Sequence, residues 1–538
     1  MMQVRRPAKD RPCVTTGARE KASANMKSVI VYIACTLLWC GSLTASDTLR
    51  LPNMEPLVIW GSVSRSAFDR TIASDPTWSW GGWDLGKSLQ RLALAQVNST
   101  GAMGASSTIR CRGLASDHTV ITWHGMSLNS PTLGTADASL IPLNLFGRCR
   151  MMYQPNLMQS SAQGLGATIE VAEQENAALA SVHLGFNSLN NSSASFQADL
   201  LPHIKRSQGT WYHQWRTGAY LQHWNNDFKY QDPWVLNSPW IQQRHNNGKS
   251  AGSIMNWSAT RGMHRFSAHG WYVQRDTKLP ATMGSELSGT AEQSDRQLRG
   301  VAEYVYQGNT NWFRAALRSQ DFLQSYNDAG VWNIHSRMHA QSHQLALEGT
   351  KQCNDVWQLG AQVQAMQQQA ISSNLEGEGM RVFQYATAAG VKRMTDRSHL
   401  HVDARADMRW NRIYWSGTLS NTSFFTLGEW QMETRWNAGR RVRLPDLNEL
   451  FWSPGGNPGL HPEEAWTGYF GQAATRKVNG TSIQMLCGMT GSDVQNWIQW
   501  TPDSTGVWSA KNISHVQSIQ PECSIQWEYK MRDSMFVS

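Results

Sequence analysis

His335, His339 and His343 stand four residues apart, a spacing that on a helix would turn the imidazoles to one face and offer a metal ion its ligands. On a strand they also share a face, but successive rings lie about 13 Å apart, too far for one ion. The residues around them alternate in polarity as a strand does. They are therefore read as part of a polar wall, and no metal site is assigned. Gly248-Lys-Ser250 has the ending of a phosphate loop, but Gln243 stands where the first glycine belongs. There is no His-Glu-x-x-His pair. No two carboxylates are placed to demand acid–base catalysis. The eight cysteines include no Cys-x-x-Cys pair, which leaves out a zinc ribbon or a thioredoxin-like site. Cys111 and Cys149 could be joined if their strands are neighbours. The plainer reading is that Cys111, Cys149, Cys353, Cys487 and Cys523 are unpaired small apolar side chains. No catalytic residue and no cofactor are assigned.

The elements that must hold these residues follow from composition and alternation. The chain has 538 residues, only 16% of them charged, and 26 tryptophans. Low charge argues against a disordered or coiled-coil chain. Mean hydropathy is −0.46. The apolar run Val29 to Cys40 holds 12 residues, short of the roughly 18–20 that a membrane helix needs. The formal charge of +8 sits at the front: the first 45 residues hold seven basic and two acidic side chains, and the remainder is only +3. No basic stripe interleaved with aromatics remains, so nucleic acid is not a partner.

Lys27, the apolar run and Gly41-Ser-Leu-Thr-Ala45 have the layout of a secretory signal over 26–45. Met26 then reads as the natural start, with 1–25 a mis-called extension. Cys13, Cys35 and Cys40 fall in the segment that would be lost. Disulfides are allowed in what is exported.

Asp84 can cap a short helix carrying Leu85, Leu89 and Leu92 on one face. Short strands are expected over 108–112, 119–123, 148–153 and 168–171, with His124-Gly125 turning the chain and 129–134 a loop. After Glu175 the texture becomes segments of about ten residues with strict alternation. In Leu400-His-Val-Asp-Ala-Arg-Ala-Asp-Met-Arg-Trp410 every even position is apolar and every odd one polar. Val182, Leu184 and Phe186 alternate with His183, Gly185 and Asn187 in the same way. Trp211, Trp215, Ala219 and Leu221 share one strand face. A membrane barrel would turn the apolar set to lipid, and a soluble sandwich would turn it inward. Alternation alone does not separate the two. The signal segment and the tryptophan content favour the barrel.

Two blocks carry a resemblance. The first is Ser107-Thr-Ile-Arg-Cys-Arg-Gly113, Asp117-His-Thr-Val, Trp123-His-Gly-Met-Ser-Leu-Asn-Ser-Pro131, Gly134, Asp137, Leu140-Ile-Pro142 and Gly164-Leu-Gly-Ala-Thr-Ile169. The second is Arg443-Leu-Pro-Asp-Leu-Asn-Glu-Leu-Phe451 followed by Gly455-Gly-Asn-Pro-Gly-Leu-His-Pro-Glu463. Asn226-Asp-Phe-Lys-Tyr230 and Trp497-Ile-Gln-Trp500 accompany it. Together they resemble TonB-dependent outer-membrane receptors, with the cobalamin receptor and its relatives the nearest branch. Cys111 departs from the family's usual glycine.

The resemblance implies an all-β transmembrane barrel, antiparallel, with an N-terminal mixed α/β plug domain inside it. The implied layout is a periplasmic segment at 46–62, a plug at 63–172 and a barrel at 175–538. It also implies active uptake of a large scarce ligand, cobalamin or an iron–siderophore complex, in the outer membrane of a Gram-negative bacterium. The implied partners are TonB, outer-membrane lipid and a surface lipoprotein. Glu55, Pro56, Leu57, Val58, Ile59, Trp60 and Gly61 stand as the energy-coupling segment, extended and apolar as strand addition requires. Met103, Ser106, Thr132 and Leu133, on the outward apices of the plug, stand as ligand contacts. Arg110 and Arg112, on one face of one plug strand, stand as plug-to-barrel contacts. The family's barrels have about 22 strands. Here 364 residues follow Val171-Ala-Glu-Gln174, room for about 18 strands at roughly 20 residues each. Only 75 residues follow Glu463, so a C-terminally truncated, incomplete barrel is expected. A passive porin or adhesin barrel, and a secreted all-β carbohydrate-binding protein, are the rival readings.

Overall fold

The computed structural model describes residues 70–73, 84–90, 95–152, 157, 164–173, 180–200, 210–231, 237–281, 289–330, 333–375, 380–478, 480–530 and 536–537. The signal segment at 26–45 and the coupling segment Glu55 to Gly61 lie outside the described residues.

The first elements are β1 (Arg70–Ala73), α1 (Leu85–Leu89), β2 (Ala95–Ser99), β3 (Ser107–Cys111), β4 (Val120–Trp123), β5 (Met126–Ser127), α2 (Leu143–Phe146), β6 (Arg148–Met152) and β7 (Thr168–Ala172). Asp84 caps α1 by accepting a hydrogen bond from the Lys87 amide at 2.8 Å. A five-stranded sheet runs β1-β6-β7-β4-β5, with β4 and β7 parallel. Strands β2 and β3 form a separate hairpin. Leu85, Leu89, Ile109, Ile121, Trp123, Phe146, Cys149, Ile169 and Val171 build one apolar core. Cys111 and Cys149 are buried in that core and are free. Burial pushes the Cys111 thiol up to about 11.

A second, much larger sheet follows. It comprises β8 (Ala180–Asn187), β9 (Asn191–Asp199) and β10 (Tyr212–Trp224), then, after a small hairpin of β11 (Lys229–Gln231) and β12 (Trp240–Gln242), β13 (Gly248–Arg261) and β14 (His264–Leu279). It continues through β15 (Ala291–Gln307), β16 (Asn311–Asp328), β17 (Ile334–Gln352), β18 (Trp357–Ser372), β19 (Met380–Thr395), β20 (Ser398–Arg409), β21 (Arg412–Leu427) and β22 (Trp430–Arg443). After helix α3 (Leu447–Phe451) come β23 (Glu463–Val478), β24 (Thr481–Pro502), β25 (Trp508–Lys530) and β26 (Phe536–Val537). The order β10-β13 onward to β25-β26-β8-β9 closes into a barrel, and the neighbours from β8 round to β26 pair antiparallel.

Among the described residues the sheet closes, where an incomplete barrel would leave an open edge. The sheet holds seventeen strands among the described residues, close to the count the length allows. Three of them are short: β8 and β9 span 8 and 9 residues, and β26 only 2. A closed barrel leaves no open edge to lipid.

The wall is inside-out relative to a soluble protein. Val182, Leu184 and Phe186 are 56%, 68% and 82% exposed on the outer face. In β20, Val402 and Met408 face outward, while Asp403, Arg405, Asp407 and Arg409 are buried toward the lumen. A secreted sandwich would do the reverse, so the alternation belongs to a lipid-facing wall. Most hairpins on the end where β8 begins are short: 262–263, 308–310, 396–397, 428–429 and 479–480. The opposite, far end carries the long connections 225–247, 280–290 and 444–462. One tight far-end turn is made by Trp410 and Asn411, both at positive φ (51° and 60°), the signature of a type I′ hairpin.

A cation on the outer face meets lipid. Leu317 on β16 is 57% exposed there, whereas the adjacent Arg318 is buried inside. Leu317→Arg is expected to destabilise the barrel by about 2–4 kcal/mol. Urea unfolding in lipid vesicles checks this, with Leu317→Ala as the size control.

Candidate ligand cleft and plug anchors

Buried cations line the lumen, and several find counter-charges or acceptors on the plug. Arg275 on β14 pairs with Asp295 at 2.6 Å and with plug Asp137 at 2.9 Å, and donates to Ser139 Oγ at 2.7 Å. Arg318 donates to the carbonyl of His124 at 3.0 Å, and Arg441 to that of Leu165 at 2.9 Å. Such paired, hydrogen-bonded charges tolerate burial, and removing one partner strands the other.

At the far end, Arg443 gathers four carboxylates. Its guanidinium lies 2.5 Å from Glu463, 2.8 Å from Glu449, 3.2 Å from plug Asp117 and 3.5 Å from Asp446. Plug His118 meets Glu463 at 2.7 Å and sits edge-on to Trp497 at 4.6 Å. Glu463 also accepts the Ile498 amide at 2.7 Å. Burial and the neighbouring Glu449 push the Asp446 carboxyl far up. Beside this network the first amides of α3 reach the plug: Leu447 N donates to Pro131 O at 3.2 Å and Asn448 N to Thr132 O at 3.1 Å. Gly134 lies against Asp446 at φ +66°, and a Cβ there would stand 2.1 Å from a carboxylate oxygen.

At the near end, Glu173 follows β7 and accepts from Trp123 Nε1 at 3.0 Å while meeting His124 Nε2 at 3.0 Å. The His124 ring stacks on His269 of β14, with centroids 3.7 Å apart. Burial pushes the Glu173 carboxyl up, but His124 outweighs it and holds the group at about 2. Burial lowers His124 and Glu173 raises it, with the net shift upward.

Two clefts flank the plug loop 129–134 on the far-end half of the lumen. One is lined by Ser106, Leu133, Gln293, Phe322, Gln324 and Met338. The other is lined by Ser130, Gln320, Gln344, Gln368, Gln384 and Arg409. Several amide groups in this region have no hydrogen-bond partner, Gln320 Oε1 and Gln364 Nε2 among them. Such a lining can hold a large polar ligand through several hydrogen bonds.

The site residues expected from the sequence separate on these grounds. Ser106 and Leu133 share the first cleft, and Leu133 is 49% exposed. Thr132 and Met103 do not reach open space. Thr132 is fully buried, with Oγ1 on the Met338 sulfur at 3.0 Å. Met103 is buried, and its carbonyl accepts from Asn226 Nδ2 at 2.8 Å. A loop tip reads as free in sequence, but here the barrel covers it. Arg112 is buried, reaches Glu522 of β25 at 3.3 Å and lies over the Tyr469 ring at 4.3 Å. Arg110 donates instead within the plug, to Leu114 O at 3.4 Å. Their shared face is a misreading: β3 ends at Cys111, and Arg112 turns out of the strand at φ +54°.

The three histidines of β17 take separate neighbours, Asn327, Asp321 and Ser319. Gly248-Lys-Ser-Ala-Gly252 has the spelling of a nucleophile elbow, but it lies within regular β13. Sequence reasoning missed the glutamine wall and the Arg443 network. The glutamines stand at lumen positions of alternating strands, a signal hidden by the usual reading of such residues as solvated.

No family model matches the chain. The vitamin B12 transporter BtuB of Photobacterium profundum is 22% identical over 456 residues, 80% of this chain and 68% of the relative. Among solved structures, the FrpB iron transporter of Neisseria meningitidis has a TM-score of 0.68 at 10% identity, over 86% of this chain and 77% of that one. The hemophore receptor HasR of Serratia marcescens has a TM-score of 0.66 at 12% identity, over 86% and 79%.

Two measurements test the anchors. Arg443→Met removes the one cation that Glu463, Glu449, Asp446 and plug Asp117 share in the interior and is expected to cost about 3–5 kcal/mol. Thermal unfolding of the refolded barrel reads this. The Glu173–His124 pair stabilises fully between the unfolded values of Glu and His, about pH 4.3 to 6.5. Its contribution is lost as pH falls toward 2, and again as pH rises through the elevated value of His124. Hydrogen exchange of residues 120–127 is therefore expected to speed up above neutrality in the native chain. In Glu173→Gln it is expected to be faster throughout and to lose that pH step.

Proposed function

We propose that this chain, which has the plug-in-barrel fold of TonB-dependent receptors, takes up a large scarce ligand across the outer membrane of a Gram-negative bacterium. The observation that carries the reading is a plug fastened inside a lipid-facing barrel, with two clefts at its far-end apex. A passive channel has no use for a lumen filled in this way. The far end would face the medium and the near end the periplasm, since long outer loops and short inner turns mark such barrels.

In this account the ligand settles against Ser106, Leu133 and the glutamine wall. Loop 129–134 hangs from α3 by backbone hydrogen bonds, so a ligand there competes with or strengthens contacts that run on to Arg443 and His118. Binding would favour release of Glu55 to Gly61 to the periplasm. TonB would add that segment to a sheet edge and, drawing on the inner-membrane proton gradient, draw the plug aside. No bond of the ligand is made or broken. Cobalamin or an iron–siderophore complex is the ligand class favoured. The sequence relative is a vitamin B12 transporter, and the amide-rich clefts suit a large, hydrogen-bonding solute.

Deleting residues 55–61 is expected to abolish uptake of labelled cobalamin or ferric siderophore while leaving binding to intact cells unchanged. Uptake that continues undiminished would return the passive-barrel reading. Leu133→Glu with Ser106→Trp is expected to weaken equilibrium binding at least tenfold, about 1.4 kcal/mol. Thr132→Val is expected to change binding far less, because that side chain faces Met338.

A further inference from the structure

Cys487 of β24 and Cys523 of β25 stand directly opposite one another in the register. Both are exposed, and their sulfurs face each other at 2.7 Å. Directly opposed residues of an antiparallel pair have Cα atoms about 4.5–5.5 Å apart, within the range a disulfide spans. The face they share is the outer one. Met485, Met489, Ile519 and Ile525 surround them and are 40%, 55%, 76% and 74% exposed. The neighbouring Glu522 points the other way, to plug Arg112.

The seam they join has structural weight. β24 and β25 are the longest strands described, 22 and 23 residues. Among the described residues, β25 pairs with the two-residue β26 at Tyr529 and Lys530. Its pairing with β24 runs from Trp508 to Tyr529, nearly the whole strand.

We propose that Cys487 and Cys523 form a lipid-facing cross-strand disulfide. The sulfur–sulfur bond forms as two S–H bonds are lost. The two electrons and, in net, the two protons pass to a protein disulfide oxidant, whose own sulfur–sulfur bond breaks as it is reduced to its dithiol. The step belongs to the oxidising compartment crossed before insertion, and so rests on the export reading above. Once inserted, the bond is surrounded by hydrocarbon and out of reach of water-soluble reductants.

The test uses the full chain with its leader. Outer membranes are isolated, the location of the chain is read by fractionation, and the protein is denatured in excess alkylating agent without reductant. Trypsin then places Cys487 in peptide 478–511 and Cys523 in peptide 512–530. The expected result is the two peptides joined, lighter by two hydrogen atoms than their sum. Prior treatment of intact membranes with a charged phosphine leaves the joined species in place, whereas the same treatment after denaturation separates it. Cys523→Ser returns Cys487 alkylated. Cys353, in a turn at the near end, serves as the alkylated control. Recovery of both peptides singly alkylated from correctly located native chain overturns the disulfide. Reduction in intact membranes overturns its lipid-facing placement. A chain absent from the outer membrane counts against the transport reading alone, since the mass of the peptides is read independently of location.

Discussion

Everything in this molecule follows from a wall that must be apolar outside and is therefore polar inside. Period-2 alternation gives each strand two faces, and lipid claims the apolar one. The other face fills the lumen with side chains such as Arg275, Arg318, Arg405, Arg409, Arg441 and Arg443, all buried. A buried guanidinium without acceptors is intolerable. The plug supplies part of what they need: Asp117, Asp137, and the carbonyls of His124, Leu157 and Leu165. Plug and barrel are thus two halves of one polar interior. The apolar core around Trp123 and Phe146 is shared as well, since Tyr220, Ile254, Trp271, Val273 and Val301 of the wall pack into it.

The anchors differ in kind at the two ends. At the far end, Arg443 is surrounded by carboxylates from the plug, α3 and β23, so its charge is compensated many times over. At the near end, the pairing of Glu173 with His124 depends on one ionisable imidazole. One end shares a single guanidinium among several carboxylates, and the other rests on one pair.

Much of this was legible in the chain. Leu400 to Trp410 announces a strand with two opposed faces, and Asp84 announces the cap of α1. What the pattern could not state was which face met lipid, because a sandwich and a barrel write the same alternation. The plug and barrel motifs settled that by resemblance, and exposure of Phe186 and Val402 settled it physically. The site was less legible because its residues are brought together across long separations. Thr132 looked like a free loop tip until Met338, 206 positions away, covered it. Arg112 looked like the next residue of a strand, until a positive φ turned it toward Glu522. Cys487 and Cys523, 36 positions apart, gave no sign of opposition until the hairpin register was set.

The link between the plug apex and the outer loop is made by peptide groups: two amides at the start of α3 and the carbonyls of Pro131 and Thr132. Hydrogen bonds of this kind do not consult side-chain identity. Loop 129–134 and segment 444–462 can thus exchange their outward residues without losing this contact. Chains sharing little sequence can then keep one scaffold and redraw its rim.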